Sequence, residues 1–146
     1  MKIYLGTDHA GFELKEKIKT FLVGKGHEVK DFGAFSFDPD DDYPDFIRPV
    51  AESVALDKES RGIILGGSGQ GEAMAANRVS GIRATVYYGG SEEIIKLSRE
   101  HNDANILSLG ARFVTEDEVM GIVTLWLSLP FSGDERHQRR IKKMDK

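Results

Sequence analysis

The chain has 146 residues, no cysteine and a net charge of −4, and 40% of its residues are hydrophobic. The length predicts one domain over residues 1–146. The absence of cysteine excludes disulfides and thiolate chemistry, and the negative net charge argues against a general nucleic-acid binder, which needs an excess of Lys and Arg. No apolar segment approaches the roughly 20 residues of a membrane span and the N-terminus lacks the apolar run of a signal peptide, so we expect no membrane association and a cytoplasmic location.

Short apolar runs alternate with longer amphipathic segments along the chain. In chain order, they predict strand 2–6, helix 12–22, strand 27–31, helix 45–56, strand 62–65, helix 71–79, strand 82–88, helix 91–101, strand 105–109, helix 115–127 and helix 133–144. The helix at 115 begins with the capping-box pattern, Thr115 followed by Glu118. Strands that alternate with helices predict a three-layer α/β/α sandwich around a five-stranded parallel sheet, with flavodoxin-like or Rossmann-like order.

The residues that follow the predicted strands are candidates for a site, because ligands of open α/β sheets bind beyond the carboxyl ends of the strands. Asp8 and His9 follow the first strand, the glycine loop 66–71 follows the third, and Arg112 follows the fifth. A glycine pair, 89–90, follows the fourth strand. We therefore expect an acid, a histidine, a glycine loop and an arginine to meet at one edge of the sheet.

The segment LGGSGQGEAMAANR, residues 65–78, places four glycines in positions 66–71 and continues with small and polar residues. It does not match the phosphate loop that ends in Gly-Lys-Ser or Gly-Lys-Thr, because Glu72 stands where that loop has its lysine. It also lacks the GxGxxG spacing of dinucleotide-binding loops. Glycine amides at a helix N-terminus suit an oxygen that becomes negative during a reaction better than they suit ATP.

Glu72 falls in the first turn of the predicted helix and shares one face with the apolar residues Ala75, Ala76 and Val79. This spacing predicts a carboxylate that points inward. Two interpretations stay open: a charge that balances the helix dipole, or a general base. Helix amides favour the ionised form of such a group and burial disfavours it, so the two effects change its pKa in opposite directions.

Each of the other candidates has both a functional and a purely structural interpretation. Asp8 and His9 either bind substrate hydroxyls and phosphate, or cap a helix beside a partly buried histidine. His101 and Asn102 end a helix, where the dipole favours a histidine without any role in a site. A lone arginine such as Arg112 is usually a surface residue.

The basic C-terminal segment ERHQRRIKK places Arg136 and Arg140 one helical turn apart on the same face. Two guanidinium groups at that spacing can grip one phosphate. A solvated helix end has the same composition, so both interpretations stay open.

The acidic run 38–42 does not match a calcium-binding loop. Tyr43 and Pro49 stand where the EF-hand pattern requires glycine and glutamate. We expect a solvated acidic loop, next to which Tyr43 could still reach the site.

Five segments together resemble the ribose-5-phosphate isomerase type B family: GTDHAGFELK, GGSGQGEAMAANR, GIRA, REHNDANILSLGAR and RHQRRI. This family also includes galactose-6-phosphate isomerase subunits and allose-6-phosphate isomerases. The resemblance runs from Met1 to about Ile141. It implies aldose–ketose isomerisation of a sugar phosphate through an enediolate, without a metal or an organic cofactor.

The family has two branches that differ in the catalytic base. One branch uses a cysteine at the position held here by Gly66, and the other uses a glutamate at the position of Glu72, so this chain resembles the second branch. The resemblance implies that Glu72 moves a proton between C2 and C1. It also implies that the amides of residues 67–71 and the Ser68 hydroxyl hold the enediolate oxygens, while His101 assists opening of the furanose ring.

The resemblance further implies which residues bind the substrate. Asp8 and Tyr43 would lie near the sugar hydroxyls and Asn102 would bind a sugar oxygen. The phosphate would be bound by one histidine and three arginines, whereas the role of His137 stays open. The implied substrate-binding set is Asp8, His9, Tyr43, Gly67, Ser68, Gly69, Gln70, Gly71, Asn102, Arg112, Arg136 and Arg140.

Members of this family are homodimers, some paired into tetramers, with active sites built from both subunits. The resemblance therefore suggests that the helix at 133–144 serves the site of a neighbouring subunit. The predicted activity is the interconversion of ribose 5-phosphate and ribulose 5-phosphate, in the pentose phosphate pathway. The alternatives are isomerisation of a hexose 6-phosphate, a subunit that needs a different partner chain, and a non-enzymatic module that binds sugar phosphates or nucleotides.

Overall fold

The computed structural model describes residues 1–145, which form a five-stranded parallel sheet with helices on both faces. The strands are β1 (Lys2–Thr7), β2 (Glu28–Asp31), β3 (Arg61–Gly66), β4 (Ala84–Tyr87) and β5 (Ile106–Gly110). The helices are α1 (Phe12–Gly24), α2 (Tyr43–Leu56), α3 (Gln70–Ala76), α4 (Glu92–Glu100), α5 (Glu116–Ser128) and α6 (Glu135–Lys142). The predicted fold class is confirmed; the last residue of the predicted domain, Lys146, lies outside the described residues.

The strands lie in the order β2-β1-β3-β5-β4, and all neighbouring strands are parallel. The first three follow the flavodoxin-like order, but the last two exchange places relative to it. β5 therefore pairs directly with β3, with Ile106 beside Gly62 and Gly110 beside Gly66. This exchange brings the loop after β5 next to the glycine loop after β3 and leaves β4 at the outer edge.

The sheet separates two hydrophobic cores. Helices α1, α4 and α5 cover one face, where Leu65 and Trp126 are fully buried. Helices α2 and α3 cover the other face, where Ile64 and Ile106 are fully buried. Consecutive residues of β3 thus enter opposite cores, which explains why the strand is apolar from residue 62 to residue 66, after Arg61, instead of alternating with polar residues. Between residues 1 and 145, no helix has the length and apolar character required to cross a bilayer.

The helix ends differ from the predicted ones by a few residues, for local reasons. α2 begins at Tyr43 and includes Pro44, because a proline in the first turn loses no hydrogen bond that a helix would make there. α3 ends at Ala76. α5 begins with the predicted capping box: the Glu118 amide donates to the Thr115 hydroxyl, and the Thr115 amide donates to the Glu118 carboxylate.

A buried ion pair anchors the segment that leads from β2 toward α2. Lys15 of α1 is fully buried, and its Nζ donates to both carboxylate oxygens of Asp31, at 2.8 and 2.6 Å, and to the Ala34 carbonyl at 2.9 Å. The Thr7 amide donates to the Gly33 carbonyl at 2.7 Å, and the Ala34 amide donates to the Thr7 carbonyl at 2.6 Å. The acidic loop therefore starts at the carboxyl end of β1.

Candidate active site

The glycine loop between β3 and α3 lies across the carboxyl ends of two neighbouring strands. Gly69 has a φ of 77°, a conformation that favours glycine, and the Ser108 hydroxyl donates to its carbonyl at 2.7 Å. A Cβ on Gly110 would come within 2.7 Å of the Ser68 carbonyl oxygen, so this close approach requires glycine in β5 as well. The contacts with β5 hold the loop in place and leave the Ser68 side chain exposed.

The Glu72 carboxylate lies underneath this loop. Its side chain belongs to the first turn of α3, and the residue is only 4% exposed. A Cβ built on Gly66, the last residue of β3, would overlap the Glu72 carboxylate. The side chain therefore points back toward the end of the strand, as its spacing along the sequence predicts. A buried carboxylate beside a row of backbone amides is the arrangement that proton abstraction next to a carbonyl requires.

Burial raises the pKa of the Glu72 carboxyl above its ordinary value, and the negative charge of Asp8 raises it further. A hydrogen bond with its own backbone amide lowers the pKa but is the weaker effect. Of the two opposed effects expected from the sequence, burial is therefore the larger. A carboxylate with a raised pKa is a stronger base, which supports the interpretation of Glu72 as a general base.

Asp8 is the second buried carboxylate at this edge. It follows β1 directly, is 6% exposed, and its side chain accepts a hydrogen bond from the Ala10 amide at 3.0 Å. This contact makes Asp8 the N-cap of the short 3-10 turn His9–Gly11, as one interpretation of the sequence proposes. The negative charge of Asp8 also raises the pKa of both Glu72 and His9. Asp8 therefore lies close to two other candidate residues.

His9 forms a pair with Asp41, an acid of the loop 38–42. The His9 Nδ1 and the Asp41 Oδ1 are 2.7 Å apart, and the His9 amide donates to the same oxygen at 3.2 Å. The Asp41 side chain is only 9% exposed, so the prediction of a solvated acidic loop is wrong for this residue. The sequence does not single out Asp41, because the other three acids of the run have the same local pattern. Only its contact with His9, 32 residues away along the chain, distinguishes it from them.

Tyr43 and Arg112 also reach the glycine loop. A Cβ on Gly71 would come within 2.7 Å of the Tyr43 hydroxyl oxygen, and a Cβ on Gly67 would come within 3.1 Å of a terminal nitrogen of Arg112. Arg112 lines, together with His9, a pocket of about 320 Å³ at the same edge. The predicted meeting of an acid, a histidine, a glycine loop and an arginine is therefore confirmed. The glycine pair 89–90 follows the outer strand β4, on the far side of β5.

The remaining candidates lie at the opposite edge of the sheet. Helix α4 returns the chain from the carboxyl end of β4 to the amino end of β5, so His101 and Asn102 stand just before Ile106, where β5 begins. Glu72 lies beyond the other end of the strands. At 3.3 Å per residue, the Cα atoms at the two ends of β5 are about 13 Å apart. A single chain therefore does not bring His101 to Glu72.

His101 stacks on His137 of α6, with ring centroids 4.2 Å apart and an interplanar angle of 17°. His137 is the one buried residue of α6. Burial, followed by the charges of His101 and Arg136, lowers the pKa of His137. Arg136 and Arg140 of the same helix are exposed. The helix thus attaches to the domain through His137 and presents both arginines to solvent near His101.

Comparison with known proteins identifies the family. Residues 3–144 match the family model described as Ribose/Galactose Isomerase. The chain belongs to this family. It is 48% identical over 141 residues to a protein of Mycolicibacterium paratuberculosis named ribose-5-phosphate isomerase B, a match that covers 97% of this chain and 87% of that one. A protein of the same name from Escherichia coli is 41% identical over 141 residues, covering 97% and 92%.

Solved structures of named ribose-5-phosphate isomerases share the fold of this chain. The structure from Thermotoga maritima has a TM-score of 0.90 at 46% identity and covers 99% of this chain and 97% of that one. The structure of ribose-5-phosphate isomerase B from Mycoplasma genitalium, with bound ribulose-5-phosphate, has a TM-score of 0.92 at 42% identity and covers 98% and 93%.

Three potential metal-ligand atoms lie within 4.8 Å of one another, one each from Asp8, His9 and Asp41. One oxygen of each carboxylate already accepts a hydrogen bond from a backbone amide, and the His9 Nδ1 is bound to Asp41. We therefore interpret this cluster as a hydrogen-bond network. Its carboxylates orient a histidine and a turn.

Proposed function

We propose that this protein interconverts ribose 5-phosphate and ribulose 5-phosphate, with Glu72 as the base. The observation that carries the proposal is the buried Glu72 carboxylate, which lies against Gly66 at the start of the glycine loop. The names of the relatives support the substrate, since they are ribose-5-phosphate isomerases. A neighbouring structure that contains ribulose-5-phosphate supports the same conclusion.

In the direction from aldose to ketose, Glu72 takes the proton from C2 and the carbonyl oxygen on C1 becomes negative. The amides of residues 67–71 and the Ser68 hydroxyl stabilise that oxygen in the enediolate, because they are oriented before the charge develops. Glu72 then returns a proton to C1, and the hydroxyl proton on O2 moves to O1. Atoms and charge balance, and no oxidant or reductant is consumed. We propose that Glu72 and the loop donors carry out the reaction without a metal or an organic cofactor.

The groups around Glu72 are suited to hold the substrate in place. We propose that Asp8 and Tyr43 contact the sugar hydroxyls, and that His9 and Arg112 bind the phosphate in the pocket that they share. The phosphate lies away from the reacting carbons in this arrangement. Its binding energy then keeps C1 and C2 aligned with Glu72, which is the way a distant anchor accelerates a reaction.

We propose that the complete site forms between two copies of the chain. His101, Asn102, Arg136 and Arg140 lie at the amino edge of the sheet, and one chain does not bring them to Glu72. In a symmetric dimer, the amino edge of each copy would meet the carboxyl edge of the other. His101 would then open the furanose ring, and the exposed arginines of α6 would complete the phosphate site. On this proposal residues 1–146 form one domain, and the helix at 133–144 contacts the second subunit. The cytoplasmic location of the protein stays a prediction.

The direct test is to assay the purified protein with ribose 5-phosphate, in the presence of a chelator, beside Glu72→Gln. We expect Glu72→Gln to lower kcat by about 10²- to 10⁴-fold while inorganic phosphate binds as before, because only the base is lost. Glu59→Gln, which changes an exposed glutamate, serves as the control and should turn over normally. Wild-type turnover in the Glu72→Gln variant would rule out Glu72 as the base.

Allose 6-phosphate and galactose 6-phosphate belong in the same assay. We expect kcat/KM to be highest for ribose 5-phosphate. A preference for either hexose phosphate would reassign the substrate while keeping the reaction. No turnover of any of these compounds would contradict the enzyme proposal, and thermal stabilisation by a nucleotide alone would then indicate a binding module.

The two-chain site is tested by co-expressing Glu72→Gln with His101→Ala, each carrying a different affinity tag. In a mixed dimer one site would carry both changes and the other neither, so a random mixture should recover about a quarter of the wild-type sites. Each variant alone should stay far below that level. If every site lay within one chain, the mixture would show no recovery, and the dimer proposal would be wrong.

A further inference from the structure

The Asp41 carboxylate has two hydrogen-bond partners within residues 1–145, and both belong to His9. The ring Nδ1 lies 2.7 Å from Oδ1, and the backbone amide of His9 donates to the same oxygen at 3.2 Å. Asp41 reaches them from the loop before α2, whereas His9 follows β1. A nearly buried carboxylate that serves one histidine is costly unless that histidine carries a compensating charge.

We propose that Asp41 is a positioning residue: it holds the His9 ring in one orientation and in its charged form, so that His9 binds the substrate phosphate. This role of Asp41 rests on the isomerase function proposed above. Asp41 does not touch the reacting carbons. It acts through His9 alone.

The orientation follows from the geometry of the ring. Because Nδ1 is bound to Asp41, the other ring nitrogen, Nε2, is directed away from it and is left as a donor. Phe37 packs edge-on against the ring, with centroids 5.8 Å apart and an interplanar angle of 89°, and limits rotation of the ring about its axis. His9 shares its pocket with Arg112. A charged imidazole and a guanidinium in one pocket form a site for a dianion such as a phosphate monoester.

The charge of His9 depends on the groups that face it. The hydrogen bond to Asp41 raises the pKa of His9 and the charge of Asp8 adds to that effect, while partial burial and Arg112 lower it. Glu13 of α1 lies in the same pocket and is exposed, so water screens its charge. The net effect is a raised pKa. His9 therefore keeps its charge to a higher pH than an ordinary histidine and loses it as the pH rises through the folded value.

Asp41→Asn separates the charge of the carboxylate from its geometry. The asparagine side-chain oxygen can still accept both hydrogen bonds from His9, but it has no negative charge to stabilise the imidazolium. Asp41→Ala removes charge and hydrogen bonds together. Asp40→Asn is the matched control, since it removes the same charge from the neighbouring, exposed residue of the same run.

Two measurements test the proposal. The first is the titration of the His9 ring by NMR without substrate, for which we expect equal midpoints in wild type and Asp40→Asn and lower midpoints in both Asp41 variants. The second is steady-state kinetics with ribose 5-phosphate at about pH 6 and about pH 8.5. For Asp41→Asn we expect KM to rise about fivefold at the higher pH and little at the lower one, with kcat nearly unchanged. Asp41→Ala should raise KM at both values.

An unchanged His9 titration in Asp41→Asn would overturn the proposal, as would a rise in KM that is the same at both pH values. If the wild type does not turn over ribose 5-phosphate, the proposed isomerase function is wrong. The role of Asp41 is then tested by the dissociation constant of inorganic phosphate at the same two pH values. Phosphate binding that does not differ between wild type and Asp41→Asn at the higher pH would then refute it.

Discussion

The Glu72 carboxylate occupies the space that a side chain on Gly66 would need. A Cβ on Gly66 would overlap that carboxylate. Gly66 does not have a positive φ, so the requirement for glycine here is one of space and not of backbone conformation. A side chain at position 66 and a carboxylate underneath the glycine loop are therefore mutually exclusive.

Gly66→Ala should strongly lower the activity by displacing Glu72, the proposed base. We expect kcat to fall about 100-fold, because a displacement of about 1 Å at a reacting group has effects of that size. KM should change little, since His9 and Arg112 are untouched. Gly121→Ala is the matched control: nothing lies within 4 Å of its added Cβ, and alanine favours a helix. A Gly66→Ala variant with normal kcat would show that the carboxylate works from another position.

Glu72→Gln should make the protein more stable at neutral pH, although it removes the proposed base. Burial raises the pKa of Glu72, so the folded state binds more protons than the unfolded chain between the ordinary and the raised value. The ionised carboxylate therefore destabilises the fold above its folded pKa, and this penalty disappears as the pH falls toward 4.5, the ordinary value. Glutamine avoids the penalty at every pH.

We expect the Tm of Glu72→Gln to exceed that of wild type by a few degrees at about pH 8, and the difference to vanish at about pH 4. Calorimetry across this range measures it, with Glu59→Gln as the exposed control. A Tm difference that is independent of pH would contradict the assignment to ionisation. With Glu72 as the proposed base, the same raised pKa should move the acidic limb of the activity profile to higher pH.

Lys15→Met should be strongly destabilising. It would leave Asp31 buried without the cation that contacts both of its carboxylate oxygens, and with only the more distant, partly exposed Lys19 at 3.2 Å. Burial raises the pKa of Asp31, but the hydrogen bonds from Lys15 and the Gly33 amide outweigh it, and the net pKa is lowered. Removing one partner of a buried pair costs about 3–5 kcal/mol. Urea denaturation at neutral pH measures this loss in the free energy of unfolding.

The control for Lys15→Met lies two residues further along the same helix. Lys17 forms an ion pair with Glu116 at 2.8 Å, with side chains 55% and 50% exposed. Lys17→Met should change the free energy of unfolding far less than Lys15→Met, because exposed pairs are screened by water. Similar losses for the two variants would indicate that burial of the Lys15–Asp31 pair does not matter to the fold.

His137→Phe should make the protein less sensitive to acid. The pKa of His137 is lowered by burial and by His101 and Arg136, so the folded state binds fewer protons than the unfolded chain, and the wild type loses stability as the pH falls below 6.5, the ordinary value. Phenylalanine keeps an aromatic ring against His101 and does not titrate. We expect a smaller fall in Tm between about pH 8 and about pH 5; equal falls would contradict this account.

The local elements follow from the sequence because their causes are local. The capping box of Thr115 and Glu118 marks the start of α5, and the uninterrupted apolar run of β3 marks a strand buried on both faces. The inward direction of Glu72 follows from helical spacing in the same way. Each of these features depends on residues within about one or two helical turns of one another.

The sequence by itself therefore determined the fold class, the order and approximate position of the strands and helices, and the inward direction of Glu72. Only the tertiary structure decided that β5 lies between β3 and β4, that Asp41 alone among the acids of its loop pairs with His9, and that His101 lies at the other edge from Glu72. The reason is physical: strand order and loop contacts depend on packing between segments far apart in the chain, and no local pattern distinguishes Asp41 from Asp40 before the loop is placed over β1.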